Sequence, residues 1–176
     1  MDGEPPVNFL SRLLRTSDPR EALRPLWHRA VEISREPQWY ADCDVADTVP
    51  GRFDMVTAVL SLVLLRLEAA DRANETALLT ELFVEDMDGQ LRESGVGDIV
   101  VGKHMGKLMA TLGGRLGAYR EALGASDAAA LVEAVRRNVS LSEGAGPEAL
   151  AARLRALSAG LSAMAVDELL AGRIER

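Results

Sequence analysis

Apolar residues recur along this chain at spacings of three and four, the mark of helices that bury one side. In residues 78–93, Leu79, Phe83, Met87 and Leu91 repeat every four positions and are joined by Leu78 and Leu82. From Ile99 to Leu123, a near-heptad series runs through Met105, Leu108, Met109, Leu112, Leu116, Tyr119 and Leu123. Between Arg20 and Arg35 the stripe is Leu23, Leu26, Trp27, Ala30 and Ile33, and Ser17-Asp18-Pro19 reads as its cap, with proline at the first helical position. Asp54 to Glu68 is different. It is apolar almost all round, its polar positions Asp54, Thr57 and Ser61 forming one narrow stripe, which predicts a helix at the centre of the domain.

The remaining stretches fill in around these. Val7–Arg15 is a short amphipathic segment with Phe9, Leu10, Leu13 and Leu14 on one side. Trp39–Arg52 predicts a loop or broken helix closed by the pair Pro50-Gly51, and Gly95-Val96-Gly97 is expected to stop the helix before it. Gly106, Gly113, Gly114 and Gly117 weaken the 99–123 helix by up to ~1 kcal/mol each, so a packing partner that exploits close backbone approach is expected there. Beyond Gly124 the composition turns Ala-rich, with helices expected at Asp127–Val139, Pro147–Leu157 and Leu161–Ala171. No alternating strand pattern occurs. The expectation is an all-α fold: an N-terminal amphipathic segment (1–19), a helical domain (20–124) and a helical C-terminal extension (125–176).

Composition narrows the function. Hydrophobic residues make up 48% of the 176, too many for a disordered chain, and aromatics only 4%, which favours close-packed helices over a β-sandwich. A net charge of -7 argues against nucleic-acid binding, which needs a positive face to displace phosphate counterions. The single Cys43 rules out an intramolecular disulfide and fits a reducing compartment. The longest uncharged runs, Met55–Leu65 and Ala156–Val166, are 11 residues each, against the ~20 that a spanning helix needs. The acidic, proline-containing start is unlike a signal peptide, so a bacterial cytoplasm is the expected location.

Candidate chemistries are few. Gly97–Lys103 satisfies GxxxxGK, but His104 stands where a nucleotide-binding loop has Ser or Thr for magnesium, and helical periodicity precedes it instead of a strand. Glu81, Glu85 and Asp88 share a helical face, which one helix rarely turns into a metal site. Cys43, His28 and His104 are isolated, so no catalytic, cofactor or metal residue is assigned. Two charged features remain open. Arg52 and Asp54 serve either a helix start or a partner. Lys103, Lys107 and Arg115 stand in a stretch without carboxylates, Ile99–Arg120, and form either a face paired inside the protein or a contact for another chain.

Two strings carry a resemblance: WYADCDVADTVPGRFDM, Trp39–Met55, and EDMDGQLRESGVGDIVVGK, Glu85–Lys103. With them the chain resembles the ubiquinol–cytochrome c chaperone family over about Pro25–Tyr119, most specifically in GRFDM, Gly51–Met55, and DGQLRESGVGD, Asp88–Asp98; Tyr40-Ala41-Asp42 and Asp47-Thr48 also follow the family pattern. The resemblance implies an all-α, cofactor-free, non-enzymatic assembly factor for the cytochrome bc1 complex that binds newly made cytochrome b, with the ribosome or the inner-membrane surface as further contacts. It makes Arg52, Asp54, Lys103, Lys107 and Arg115 the candidate partner-binding residues. After Gly102 the chain is poorer in lysine than the family and lacks aromatics before Gly114-Arg115, which weighs against ribosome contact more than against client binding. Two other readings stay open: a helical enzyme acting on a lipid or isoprenoid, and a homo-oligomeric adaptor unrelated to respiration.

Overall fold

The computed structural model describes residues 18–93 and 98–175, apart from the side chains of 91–104. The described residues form an all-α domain with one isolated bridge, Val45 to Leu141. A 3-10 turn, Pro19–Leu23, leads into α1 (Arg24–Ser34), followed by α2 (Pro37–Ala41), α3 (Val49–Glu68), α4 (Ala73–Glu93), α5 (Asp98–Gly124), α6 (Ala128–Asn138), α7 (Glu148–Ala163) and α8 (Val166–Leu170). The 1–17 segment and the 95–97 stop both lie outside the described residues.

Prolines and caps set most boundaries. Asp18 Oδ1 accepts from Arg20 N at 3.0 Å and Pro19 opens the turn. The single helix expected from Arg20 divides because Pro25 has no N–H to donate four residues back, so the α-helix restarts with Pro25 in its first turn. Pro37 likewise opens α2, which runs into the stretch expected to be a loop or broken helix, and Trp39 Nε1 donates to Ile33 O at 2.5 Å, fixing the buried indole under α1.

The largest departure from expectation is the start of α3. The Pro50-Gly51 pair belongs to its first turn instead of closing the preceding loop. Thr48 caps it, its Oγ1 accepting from Gly51 N at 3.2 Å, and Pro50 sits where a missing N–H costs nothing. Glycine is required at 51 because a Cβ there would lie 2.0 Å from Ala46 O.

Once begun, α3 is the expected central helix. Val59, Leu60, Leu62, Val63, Leu64 and Leu67 are all buried, and it packs against α1, α4, α5 and α7. Its buried hydroxyls turn back on the helix: Thr57 Oγ1 donates to Asp54 O at 2.9 Å and Ser61 Oγ to Thr57 O at 2.7 Å.

The Ala-rich helices complete the same core. Leu131, Ala134, Val135, Leu150, Leu154, Leu157 and Leu161 join one hydrophobic cluster with α3. α7 runs straight through Gly160 where a break was expected, since one glycine costs about 1 kcal/mol and the buried leucines on either side outweigh it. Arg66 of α3 holds the end of α7, donating from Nε to Leu161 O and from Nη2 to Met164 O, both at 2.9 Å. The C-terminal residues return to α1. Gly172, at φ +71°, passes within 2.7 Å of Pro25 O at the place a Cβ would occupy, and Arg29 donates to Ile174 O at 3.0 and 2.8 Å.

Among the described residues, a Cβ at Gly106, Gly113, Gly114 or Gly117 would meet nothing within 4 Å, so these four positions bring no described backbone close against α5.

Candidate protein-binding groove and the Asp54 clamp

The first turns of α3 stand between two different surroundings. On one side is a groove of about 680 Å³, walled by Val31 of α1 and Arg35 just after it, Val49, Arg52, Phe53 and Val56 of α3, Asp86, Met87 and Gln90 of α4, and Leu108 of α5. Its surface is mainly apolar at the floor and charged at the rim. Val49 is 83% exposed there, an unusual position for a β-branched apolar side chain. Phe53 forms part of the floor. Its ring is backed by Phe83 at 6.4 Å, which meets Trp27 edge-on at 6.0 Å, so the floor is continuous with the core.

On the other side Asp54 is turned inward. Its Oδ1 accepts from Arg115 Nη2 at 2.5 Å, and its Oδ2 accepts from Ser140 N at 2.9 Å and Ser140 Oγ at 2.8 Å. Arg115 Nη1 also donates to Thr57 Oγ1. Asp54 and Arg115 retain only 8% and 13% side-chain exposure. A charge this deep needs such a full set of partners, because desolvation costs several kcal/mol per ion. The cluster ties α3, α5 and the connection after α6 together at one point. Ala46 N donates to Ser140 O at 2.9 Å and Ser142 N to Asp44 O at 2.8 Å, so the 42–48 loop is held by the same connection.

Arg115 links the two sides. Its guanidinium carbon lies 5.4 Å from the Phe53 ring centre while its nitrogens hold Asp54. One turn away, Tyr119 is fully buried, and its hydroxyl has no hydrogen-bond partner among the described residues. Burial drives its pKa well above the ordinary phenol value, with a smaller opposing effect from Arg115.

The five candidate residues therefore fall into different places. Arg52 is on the groove rim, its Nε 2.7 Å from Asp47 Oδ1. Asp54 and Arg115 meet each other in the clamp behind the floor. Lys107 is exposed on α5 beside Leu108. The side chain of Lys103 lies outside the described residues. The further α5 cation, Arg120, pairs with Glu68 of α3 at 2.7 Å.

The apolar groove residues Val31, Val49, Phe53, Val56 and Met87 went unrecognised in the sequence. Val49, Phe53 and Val56 follow helical spacing, but that signal appears only once α3 is known to begin at Val49.

Other chemical candidates are dispersed. Asp98–Lys103 of the GxxxxGK string is helical, and no strand precedes it among the described residues. No cluster of potential metal ligands occurs among the described residues. Cys43 is buried with Arg153 Nη1 3.7 Å from its sulfur, whereas His28 is exposed on α1. Glu85 faces Arg20 at 3.3 Å and Arg24 at 3.7 Å. A second cavity, about 570 Å³ between α7 and the C-terminal residues, is bordered by charges of both signs: Arg153, Glu168, Arg173 and Glu175.

Comparison with known proteins places this geometry. The chain is similar to the crystal structure of the Cbp3 homolog from Brucella abortus, with a TM-score of 0.75 and 32% identity over 88% of each chain. None of the curated proteins matches. The family model described as "Ubiquinol-cytochrome C chaperone" matches residues 41–176, which takes in α3, the clamp and the Ala-rich helices. The chain belongs to the ubiquinol–cytochrome c chaperone family.

Proposed function

We propose that this protein is an assembly chaperone for the cytochrome bc1 complex, that it catalyses no reaction, and that its groove holds an apolar helix of newly made cytochrome b. The observation that carries the reading is the groove itself: an apolar floor at Phe53, Val56 and Met87, with Val49 exposed on its rim, built on the GRFDM string. A membrane protein in water presents apolar helix faces, and covering them is favourable by roughly 25 cal/mol per Å² before the costs of association. Charges at the rim steer encounter and set orientation more than they add affinity. Arg35 and Arg52 stand on the α1–α3 side and Asp86 on the α4 side, so the rim is polarised. Lys107, exposed next to Leu108, extends the positive side along α5, toward a client loop, the inner-membrane surface or the ribosome; Lys103 stands one turn earlier in the same helix.

The clamp's part is indirect. Asp54 and Arg115 do not touch the client; they fix the turn that carries Phe53. The test is deletion of the gene with measurement of cytochrome b and bc1 content in membranes, followed by complementation with Phe53→Ser and Val49→Asp. Deletion is expected to lower bc1 content, and neither groove variant is expected to restore it fully. Normal bc1 content in the deletion strain would overturn the reading.

A further inference from the structure

We infer that the groove reads the direction of the helix it holds, taking the helix's C-terminal end at Arg35 and its N-terminal end at Asp86. This rests on the groove being a site for an apolar helix. Most charges around the start of α3 are satisfied inside the protein: Arg52 faces Asp47, Arg115 faces Asp54, and Arg20 and Arg24 face Glu85. Two charges on the groove wall are not. Arg35 is exposed just after α1, and its guanidinium has no hydrogen bond and no carboxylate partner among the described residues. Asp86, half-buried on α4, takes one side-chain hydrogen bond, from Gln90 Nε2 at 3.3 Å, and faces no cation among the described residues. Its carboxylate has room for further donors.

The helices that carry these charges hold them apart. Glu85, the neighbour of Asp86, meets Arg24 at the start of α1, and Arg35 follows the 11 residues of that helix, a rise of roughly 16 Å. A helix of about three turns spans this, with Val31, Phe53, Val56 and Met87 against its side. Every helix has free N–H groups at one end and free carbonyls at the other, with the matching partial charges. A membrane helix in water carries little else that is polar, so its ends are the features by which a groove can tell one direction from the other. Arg35 donates to the free carbonyls and Asp86 accepts from the free N–H groups. The protein treats its own helix ends in the same way. Arg66 donates to Leu161 O and Met164 O at the end of α7, and Asp127 accepts from Ala129 N at the start of α6. A helix laid in reverse sets Arg35 against N–H groups and Asp86 against carbonyls, two repulsive contacts in place of two attractive ones.

The test uses the full chain and a synthetic peptide of Leu, Ala and Gln with blocked ends, about 20 residues long so that it forms a helix. A nitroxide is placed at one end of the peptide, and broadening is read by NMR at the methyls of Val31, one turn before Arg35, and of Met87, next to Asp86. The C-terminal label is expected to broaden Val31 more than Met87, and the N-terminal label the reverse. In the charge swap Arg35→Asp/Asp86→Lys both patterns are expected to invert. Arg35→Ala is expected to weaken the peptide about twofold to fivefold at low salt, and less at high salt. Arg35 also favours the end of its own helix, but that role would move the melting temperature and leave the labelling pattern as it was. Equal broadening at both methyls, or the parent pattern in the swap variant, overturns the inference and leaves the groove reading intact. A peptide that broadens neither methyl overturns both. A preferred direction in a protein whose deletion leaves bc1 content normal keeps the inference and removes the chaperone reading.

Discussion

Arg115 donates to Asp54 at 2.5 Å across 61 residues of sequence while its guanidinium lies over the ring of Phe53, Asp54's neighbour in the chain. One side chain therefore holds both faces of the α3 start: the carboxylate inside and the aromatic floor outside. Removing Asp54 leaves a buried cation without its partner. Asp54→Ala should destabilise the domain by about 3–5 kcal/mol, whereas replacing the pair together, Asp54→Leu with Arg115→Met, should recover much of that loss. Urea unfolding of the two single variants and the double variant measures it. A double variant no more stable than Asp54→Ala would show that the pair is not the energetic unit.

Tyr119 should behave in the opposite way. Its hydroxyl is buried without a partner among the described residues, so Tyr119→Phe should leave the melting temperature unchanged or raise it. The same burial gives a pH dependence. The folded-state pKa lies above the unfolded value near 10, so the unfolded chain releases this proton first and stability falls as the pH rises past about 10. Thermal melts between pH 8 and pH 11 should show that decline reduced in Tyr119→Phe.

Two glycines of similar appearance should respond with opposite sign. Gly51→Ala drives a Cβ into Ala46 O, a backbone atom held in the 42–48 loop, and should cost about 1–3 kcal/mol or more. Gly114→Ala meets nothing within 4 Å among the described residues in mid-helix and should stabilise by about 0.5–1 kcal/mol. Calorimetric melting of the pair decides it.

Groove and core can be separated through Val49 and Val63. Val49 is 83% exposed, so Val49→Asp should lower cytochrome b co-purification without moving the melting temperature. Val63 is fully buried on α3, so Val63→Asp should prevent folding, an unpaired buried carboxylate costing several kcal/mol. A Val49→Asp protein that captures cytochrome b as well as the parent would locate the client elsewhere.

The helices with long one-sided stripes were legible because periodicity is a local property: Leu79, Leu82 and Phe83 of α4, and Leu112 and Tyr119 of α5, are buried as their spacing predicts. The central position of α3 followed from its apolar circumference. What the sequence hid depends on contacts between distant residues. Pro50-Gly51 has the local signature of a turn, and only the carbonyl of Ala46 and the cap from Thr48 make it a helix start.

Lys107 and Arg115 look alike as cations on one helix, yet one is exposed and the other is drawn inward by Asp54 and Ser140's neighbourhood. The resemblance carried by GRFDM pointed to the start of α3, where the groove and the clamp adjoin. It could not separate Phe53, which faces the groove, from Asp54, which faces away.

The junction between Arg29 and Ile174 has a consequence for biosynthesis. These residues are 145 positions apart, and with Gly172 against Pro25 they close α1 onto the last residues described. A chain emerging from the ribosome presents α1 long before Ile174 exists, so α1 cannot take its final seat until the segment carrying Ile174 has been made. Truncation after α7 would uncover α1, and the damage would be felt more than a hundred residues earlier in the chain.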